Sequence, residues 1–117
     1  MKSRVAIFVL LFAPLLSSAS GDQDTFKGFL VIAPEVEVFR PCGSESSLWL
    51  DFDLSPREPI AQKYLDLATT PYEETFAVLI GKPGPKLDCG FCEAYSGSFK
   101  VHQVLEHRRA VPTDCDQ

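Results

Sequence analysis

The sequence is poor in basic residues and in histidine. Its 117 residues include 11 lysines and arginines against 16 aspartates and glutamates, and only two histidines. A shortage of positive charge argues against nucleic acid or an anionic membrane surface as the partner, because both are bound mainly through lysine and arginine. There is no Gly-x-Ser-x-Gly sequence, so little supports catalysis by a serine nucleophile. There are also no internal repeats and no low-complexity tract.

The first 20 residues have the pattern of a secretory signal peptide. Lys2 and Arg4 precede an apolar run from Val5 to Leu16, and small residues follow at 17–21. The run is too short for a stable membrane span, and the small residues fit cleavage after residue 19 or 20. We therefore expect residues 1–20 to be removed on export, with no stable membrane insertion afterwards. Residues 21–117 would form one small domain with 9 basic and 16 acidic residues, a net charge of −7.

Four cysteines are a high number for so short an exported chain: Cys42, Cys89, Cys92 and Cys115. In an oxidising compartment they predict two disulfides, and sequence reasoning alone leaves three connectivities open. The core that such a chain can build is marginal, so each bridge would add a useful stabilisation of roughly 2–4 kcal/mol.

Alternating apolar and polar residues predict a mainly β chain. The pattern indicates one long strand, or two strand halves, over 26–40 with a bend or bulge near Ala33-Pro34. Further strands are expected over 47–53, 75–80 and 98–106. Ser55 as N-cap, followed by Pro56 and Glu58, predicts a helix over 56–68. Residues 81–97 hold two prolines and four glycines and are expected to be irregular, as is the tail.

About five short strands and one helix predict a small β-barrel with the helix closing one end. An OB-like barrel is the natural candidate, because its long, bent first strand is shared between both halves. Within the last strand, alternation places Leu105 on one face with Phe99 and Val101. The basic run His107-Arg108-Arg109 is typical of a solvated strand end. The face of Glu35 and Glu37 is expected to meet water, like other faces with charges at alternate positions.

The run from Gly28 to Ser44, G-x-x-x-x-A-P-E-V-E-V-F-R-P-C-G-S, resembles the start of a small OB-type domain of exported bacterial proteins. It is similar to the C-terminal domain of NlpE-type envelope lipoproteins, and the later elements, including Asp114-Cys115, follow in the order of that domain. The resemblance covers most of residues 21–117 through short motifs. It implies a periplasmic or secreted protein in which Cys42 and Cys115 are joined. Cys89 and Cys92 are additions to the NlpE-type pattern.

Cys89-Gly90-Phe91-Cys92 is the sharpest local motif. A C-x-x-C spacing permits reversible disulfide formation, but oxidoreductases place it before a helix in a βαβ unit, and no helical pattern follows here. A small structural disulfide between Cys89 and Cys92 is therefore the main interpretation. Redox exchange, or metal binding together with His102 or His107, is the alternative. The sequence predicts no cofactor and no metal.

On the second strand, Trp49 shares a face with Asp51 and Asp53. Trp49 either contacts a partner or packs under the helix, and Asp51 and Asp53 are candidate partner contacts beside it. The aspartates could also act as acid and base or bind a cation, although charges at alternate positions are typical of a solvated face. We therefore predict a non-catalytic binding or interaction module of the cell envelope, whose partner is an unknown envelope protein or a small ligand. A thiol–disulfide or metal-handling protein that uses Cys89 and Cys92 is the alternative function.

Overall fold

The computed structural model describes residues 23–116, which contain five strands, one α-helix and one short 3-10 helix. The predicted signal peptide, residues 1–20, lies outside these described residues. No helix between residues 23 and 116 is both long and apolar enough to cross a membrane. The elements are β1 (Asp24–Ala33), β2 (Val36–Pro41), β3 (Leu48–Asp51), α1 (Arg57–Leu67), β4 (Thr75–Gly84), the 3-10 helix Phe91–Ala94 and β5 (Ser98–Arg109).

The five strands close into a barrel in the order β1-β2-β3-β5-β4, with β4 returning to β1. All neighbours are antiparallel except β3 and β5, which run parallel. Parallel neighbours need a long connection, and here it consists of α1, β4 and the loop that follows β4. The prediction of a small OB-like barrel with about five strands and one helix is confirmed.

β1 and β2 form a hairpin around the two-residue turn Pro34–Glu35. Proline fixes its own φ near about −65°, and Glu35 has a φ of 66°. A proline followed by a residue with positive φ is the pattern of a type II turn. The two strand halves expected from the sequence are present, but the chain reverses between them instead of bending. The alternation of apolar and polar residues did not reveal that the chain reverses here, because glutamate seldom adopts the left-handed conformation that this turn requires.

Two aromatic rings fill the centre of the barrel. Phe39 and Phe99 are fully buried, with ring centroids 4.9 Å apart. Phe26 meets Phe99 edge-on at 5.1 Å. Each central ring lies against a glycine, since a Cβ on Gly28 would be 2.8 Å from Phe39 and one on Gly81 would be 2.7 Å from Phe99. The absent side chains at these glycines make room for the rings and allow the strands to approach closely.

The strand β5 contains two register shifts against β4, at Val78/Leu79 and Ile80/Gly81. Each shift inserts one extra β5 residue, as a β-bulge does. The inward positions become Val101, Val104 and His107 instead of every second residue. Val101 is buried and Val104 packs against the core, while His107 pairs in register with a core alanine of β4.

Two expectations for β5 were wrong, one from simple alternation and one from the basic residues near its end. Leu105 was expected on the inner face with Phe99 and Val101, but its side chain is 50% exposed. His107 was expected at a solvated strand end, but it is half-buried and faces inward. The first inserted residue exchanges the two faces, and this turns Leu105 outward. The second insertion restores the original alternation, so His107 faces inward, and the expectation of a solvated position came only from the basic residues that follow it.

Helix α1 packs against the end of the barrel formed by the β1–β2 turn. Its buried residues Ile60 and Tyr64 join the core, and the Tyr64 hydroxyl donates to the Glu73 carbonyl at 2.6 Å. Arg57 pairs with Glu37, so Glu37 is half-buried rather than facing water.

Several predicted element boundaries were wrong, including the end of β5, which runs to Arg109 instead of residue 106. The N-cap of α1 is Pro56 and no side chain caps the helix, so Ser55 lies one residue before the cap. The strand β3 ends at Asp51, short of residue 53. Strand β4 continues through Pro83 to Gly84, into the region expected to be irregular. Beyond Gly81, β4 pairs only with β5, and a strand with one free edge tolerates proline.

We expect Gly81→Ala to lower the free energy of unfolding by about 2–3 kcal/mol, because overpacking would force the strands apart. The added Cβ would lie 2.1 Å from the Lys100 carbonyl oxygen, a backbone atom that cannot rotate away. Urea unfolding measures the change. Gly43→Ala is the control: its Cβ would meet nothing within 4 Å, and only its positive φ of 87° opposes alanine, at about 1 kcal/mol. Equal losses for the two variants would contradict the packing argument.

Candidate functional site

The structure contains both disulfides expected from the sequence. Cys42 is bonded to Cys115 across 73 residues, and Cys89 is bonded to Cys92 across three. The chain entropy that a bridge removes from the unfolded state grows with the loop it closes, which gives about 4 kcal/mol for the long loop and about 2 for the short one. The Cys42–Cys115 bridge is therefore the main covalent constraint, and it ties the end of β2 to the tail.

The outer face of the barrel carries a row of four side chains that sequence analysis did not identify. The strand register places Arg40, Phe29, Phe76 and Arg108 side by side across β2, β1, β4 and β5. The Arg40 guanidinium lies 4.8 Å from the Phe29 ring centroid, and Arg108 lies 4.4 Å from that of Phe76. The two rings meet edge-on at 6.1 Å. Cation–π contacts of about 0.5–2 kcal/mol each therefore link four of the five strands.

The C-terminal tail is anchored beside this row by Asp114. The side chain of Arg108 donates to Asp114 Oδ1 at 2.7 Å, and the Val111 amide donates to Asp114 Oδ2 at 2.7 Å. Asp114 is 5% exposed, and its hydrogen bond with Arg108 holds the pKa of the carboxyl below its ordinary value. A groove of about 470 Å³ remains between tail and barrel. The main charged groups of this groove are already paired with each other. We therefore assign this surface a role in the stability of the fold.

A different surface brings together the residues that the sequence analysis proposed for partner contact. We call it the Trp49 face, and it consists of Trp49, Asp51, Tyr95 and Lys100. The strand register pairs Asp51 with Lys100, and the Trp49 ring lies 5.6 Å from the Tyr95 ring at an angle of 42°. The Trp49 amide also donates to the Gly97 carbonyl at 3.1 Å. Trp49 is half-buried, so one part of its ring packs on the protein and another part meets solvent.

Sequence reasoning missed Tyr95. The sequence shows only an aromatic residue in a segment expected to be irregular, and no pattern of neighbouring residues links Tyr95 to Trp49. The two rings meet because β3 and β5 pair in parallel, which brings the end of the β4–β5 loop beside the start of β3.

Asp51 and Asp53 are arranged by a turn rather than by strand alternation. The Asp53 amide donates to Asp51 Oδ1 at 3.1 Å, which is the local bond that aspartate commonly makes two residues ahead of itself. Asp53 lies beyond the end of β3, and its carboxylate is 3.5 Å from Lys100 Nζ. Asp51 and Asp53 are therefore neighbours, as expected, with a cation beside them.

A groove of about 340 Å³ opens beside Asp51 and Lys100. Its far wall is the start of the β4–β5 loop, which Ser98 holds by donating from Oγ to the Pro85 carbonyl at 2.7 Å. The groove mixes apolar prolines and a leucine with charged groups; the lining residues are Asp51, Lys82, Pro83, Gly84, Pro85, Leu87, Ser98 and Lys100.

The structure does not bring the two histidines to the C-x-x-C pair. Among residues 23–116, no group of three or more His, Cys, Asp or Glu residues is placed to hold a metal ion. His102 is exposed on β5, whereas His107 Nε2 lies 2.9 Å from Thr75 Oγ1. The Thr75 hydroxyl donates to the Leu30 carbonyl, so it accepts from the His107 ring. His107 is thus part of the hydrogen bonding of the barrel.

Burial lowers the pKa of His107 to about 4, and the nearby Lys63 ammonium acts in the same direction. The unfolded chain takes up a proton at His107 below pH about 6.5, whereas the folded chain stays neutral there until pH about 4. Between these values the unfolded state binds more protons, so the stability of the fold decreases as the pH decreases.

We expect this linkage to remove about 1–2 kcal/mol between pH 7 and pH 4, less than the full shift implies, because the ring is partly solvated. His107→Gln keeps an amide donor for Thr75 and does not titrate. Urea unfolding at several pH values should show a smaller loss for the variant than for the wild-type chain. Identical pH dependence in the two proteins would contradict the assignment.

Comparisons with protein-family models, with curated protein sequences and with solved structures found no significant match to this chain. The interpretation of the Trp49 face therefore depends on the barrel architecture and on the chemistry of its residues.

Proposed function

We propose that this chain is a non-catalytic, exported binding module of the cell envelope whose ligand lies across the Trp49 face. The observation that carries the proposal is the contact between the Trp49 and Tyr95 rings, 5.6 Å apart, beside a groove lined by Asp51 and Lys100. OB-type barrels bind oligonucleotides or oligosaccharides on the face of their second and third strands, with help from the loop between strands four and five. Trp49 lies on β3, and Tyr95 lies in that loop.

The chemistry of the Trp49 face favours a neutral oligosaccharide over a nucleic acid. Aromatic rings offer an apolar surface on which the carbon-bound hydrogens of a sugar can pack. Asp51 and Lys100 supply an acceptor and a donor for hydroxyl groups. A polyanion would need a basic groove, whereas the full chain carries a net charge of −5.

Export is supported by the pattern of residues 1–20 and by two disulfides that involve all four cysteines. Disulfides of this kind persist in the periplasm and outside the cell, and they are rare in a reducing cytoplasm.

Trp49 is the single tryptophan of the chain, so its fluorescence reports directly on this face. We expect titration with chitotetraose, a neutral oligosaccharide, to change the intensity or wavelength of Trp49 emission in a saturable way. Tyr95→Ala should weaken the apparent affinity by about fivefold, because the ring contact is lost. Tyr72→Ala is the matched control, since Tyr72 is an exposed tyrosine in the α1–β4 connection.

Three results would contradict the proposal. The first is an emission spectrum that chitotetraose does not change, and the second is equal effects of Tyr95→Ala and Tyr72→Ala. The third is tighter binding of a short oligothymidylate than of the sugar, which would indicate a nucleic-acid module instead.

A further inference from the structure

The two residues of the Cys89–Cys92 bridge differ in exposure. Cys89 is exposed, whereas Cys92 is 1% exposed at the start of the 3-10 helix. Thiol–disulfide exchange requires in-line access to one sulfur, so only Cys89 can be approached from solvent. The bridge therefore has one reactive end and one protected end.

The surface around Cys89 is open and partly apolar. Phe91, between the two cysteines, is 57% exposed. At Gly90 the space that a side chain would occupy is empty, with no atom within 4 Å of an added Cβ. An approaching chain would thus meet an exposed ring beside an accessible sulfur, and exposed aromatic rings are common anchors in protein contacts.

The other bridge has a different setting. Cys42 and Cys115 are both half-buried, and Cys115 follows the nearly buried Asp114 in the anchored tail. That bridge spans 73 residues, whereas Cys89 and Cys92 enclose only a single turn. A disulfide that closes a short loop constrains the unfolded chain far less than one that closes a long loop. Stabilisation of the fold therefore accounts for the Cys42–Cys115 bridge better than for the Cys89–Cys92 bridge.

We propose that Cys89–Cys92 is a thiol–disulfide exchange site at which the dithiol of a partner protein attacks Cys89 Sγ. The attack forms a bond between the partner sulfur and Cys89 Sγ and breaks the Cys89–Cys92 bond. Cys92 leaves as a thiolate and takes up a proton. The second partner thiolate then attacks the partner sulfur of the mixed disulfide and releases Cys89. The partner dithiol loses two electrons and two protons and becomes a disulfide, while the cysteine pair becomes a dithiol.

This site is independent of the oligosaccharide proposal, because neither Cys89 nor Phe91 belongs to the Trp49 face. The first test exposes the oxidised, full-length exported chain to reduced glutathione, with timed acid quenching, alkylation and peptide mapping. We expect Cys89–Cys92 to open at least about tenfold faster than Cys42–Cys115, with glutathione attached to Cys89 in the intermediate. Opening of the two bridges at equal rates, opening of Cys42–Cys115 first, or glutathione on Cys92 would overturn the proposal.

A second test distinguishes the exchange reaction at Cys89 from the contact of a partner protein with Phe91. Phe91→Ser should leave the rate with glutathione unchanged within about twofold, because a small thiol does not need the ring. With reduced thioredoxin as the protein dithiol, the same variant should react about fivefold more slowly. An unchanged rate with thioredoxin would overturn the part assigned to Phe91.

Single-cysteine variants test the direction of attack without any partner. The free thiol of Cys92→Ser, which is Cys89, should react with iodoacetamide at least about tenfold faster than the free thiol of Cys89→Ser. Circular dichroism before the reaction checks that both variants keep the barrel. Equal rates in two folded variants would contradict the assignment of Cys89 as the reactive sulfur.

Discussion

The packing of Phe39 against Phe99 at the centre of the barrel is the interaction on which the other features depend. Both rings are fully buried, and each lies where the side chain of Gly28 or Gly81 would otherwise be. Phe39 belongs to β2 and Phe99 to β5, so the ring pair joins opposite parts of a sheet that must curve to close. Closure brings β5 against β3. Without that contact, Trp49 and the β4–β5 loop would not be neighbours.

The closed barrel divides its outer surface into two regions with different roles. Around Phe29 and Phe76, arginines lie over the rings and the tail is fixed by Asp114 and the Cys42–Cys115 bridge. The charges of this region are largely satisfied within the protein. Around Trp49, a groove stays open, and the β4–β5 loop presents both the Tyr95 ring and the exposed residue Cys89. A rigid region held by a disulfide therefore lies beside the region to which we assign ligand binding and disulfide exchange.

Much of this architecture could be predicted from the sequence, because alternation and turn residues are local signals. Five strands, one helix and the shared face of Trp49 and Asp51 all follow from such patterns. The bulges in β5 could not be predicted, since an inserted residue leaves no local mark, and the first of them turned Leu105 outward. His107 was placed wrongly because the basic residues beside it indicated a solvated strand end, although it lies inside the last strand. Tyr95 was missed because, like the bulges, its position has no local mark in the sequence. Its contact with Trp49 exists only after β3 and β5 have paired.

Native-state hydrogen exchange across the β3–β5 pairing tests the closed barrel most directly. If the ring pair holds the barrel shut, the hydrogen-bonded amides of β3 and of the first residues of β5 exchange only through global unfolding. They should then be as slow as the hydrogen-bonded amides shared by β1 and β4. Exchange that is faster by orders of magnitude at this pairing alone would mean that the sheet is open there. In that case the Trp49 face would not exist as a preformed surface.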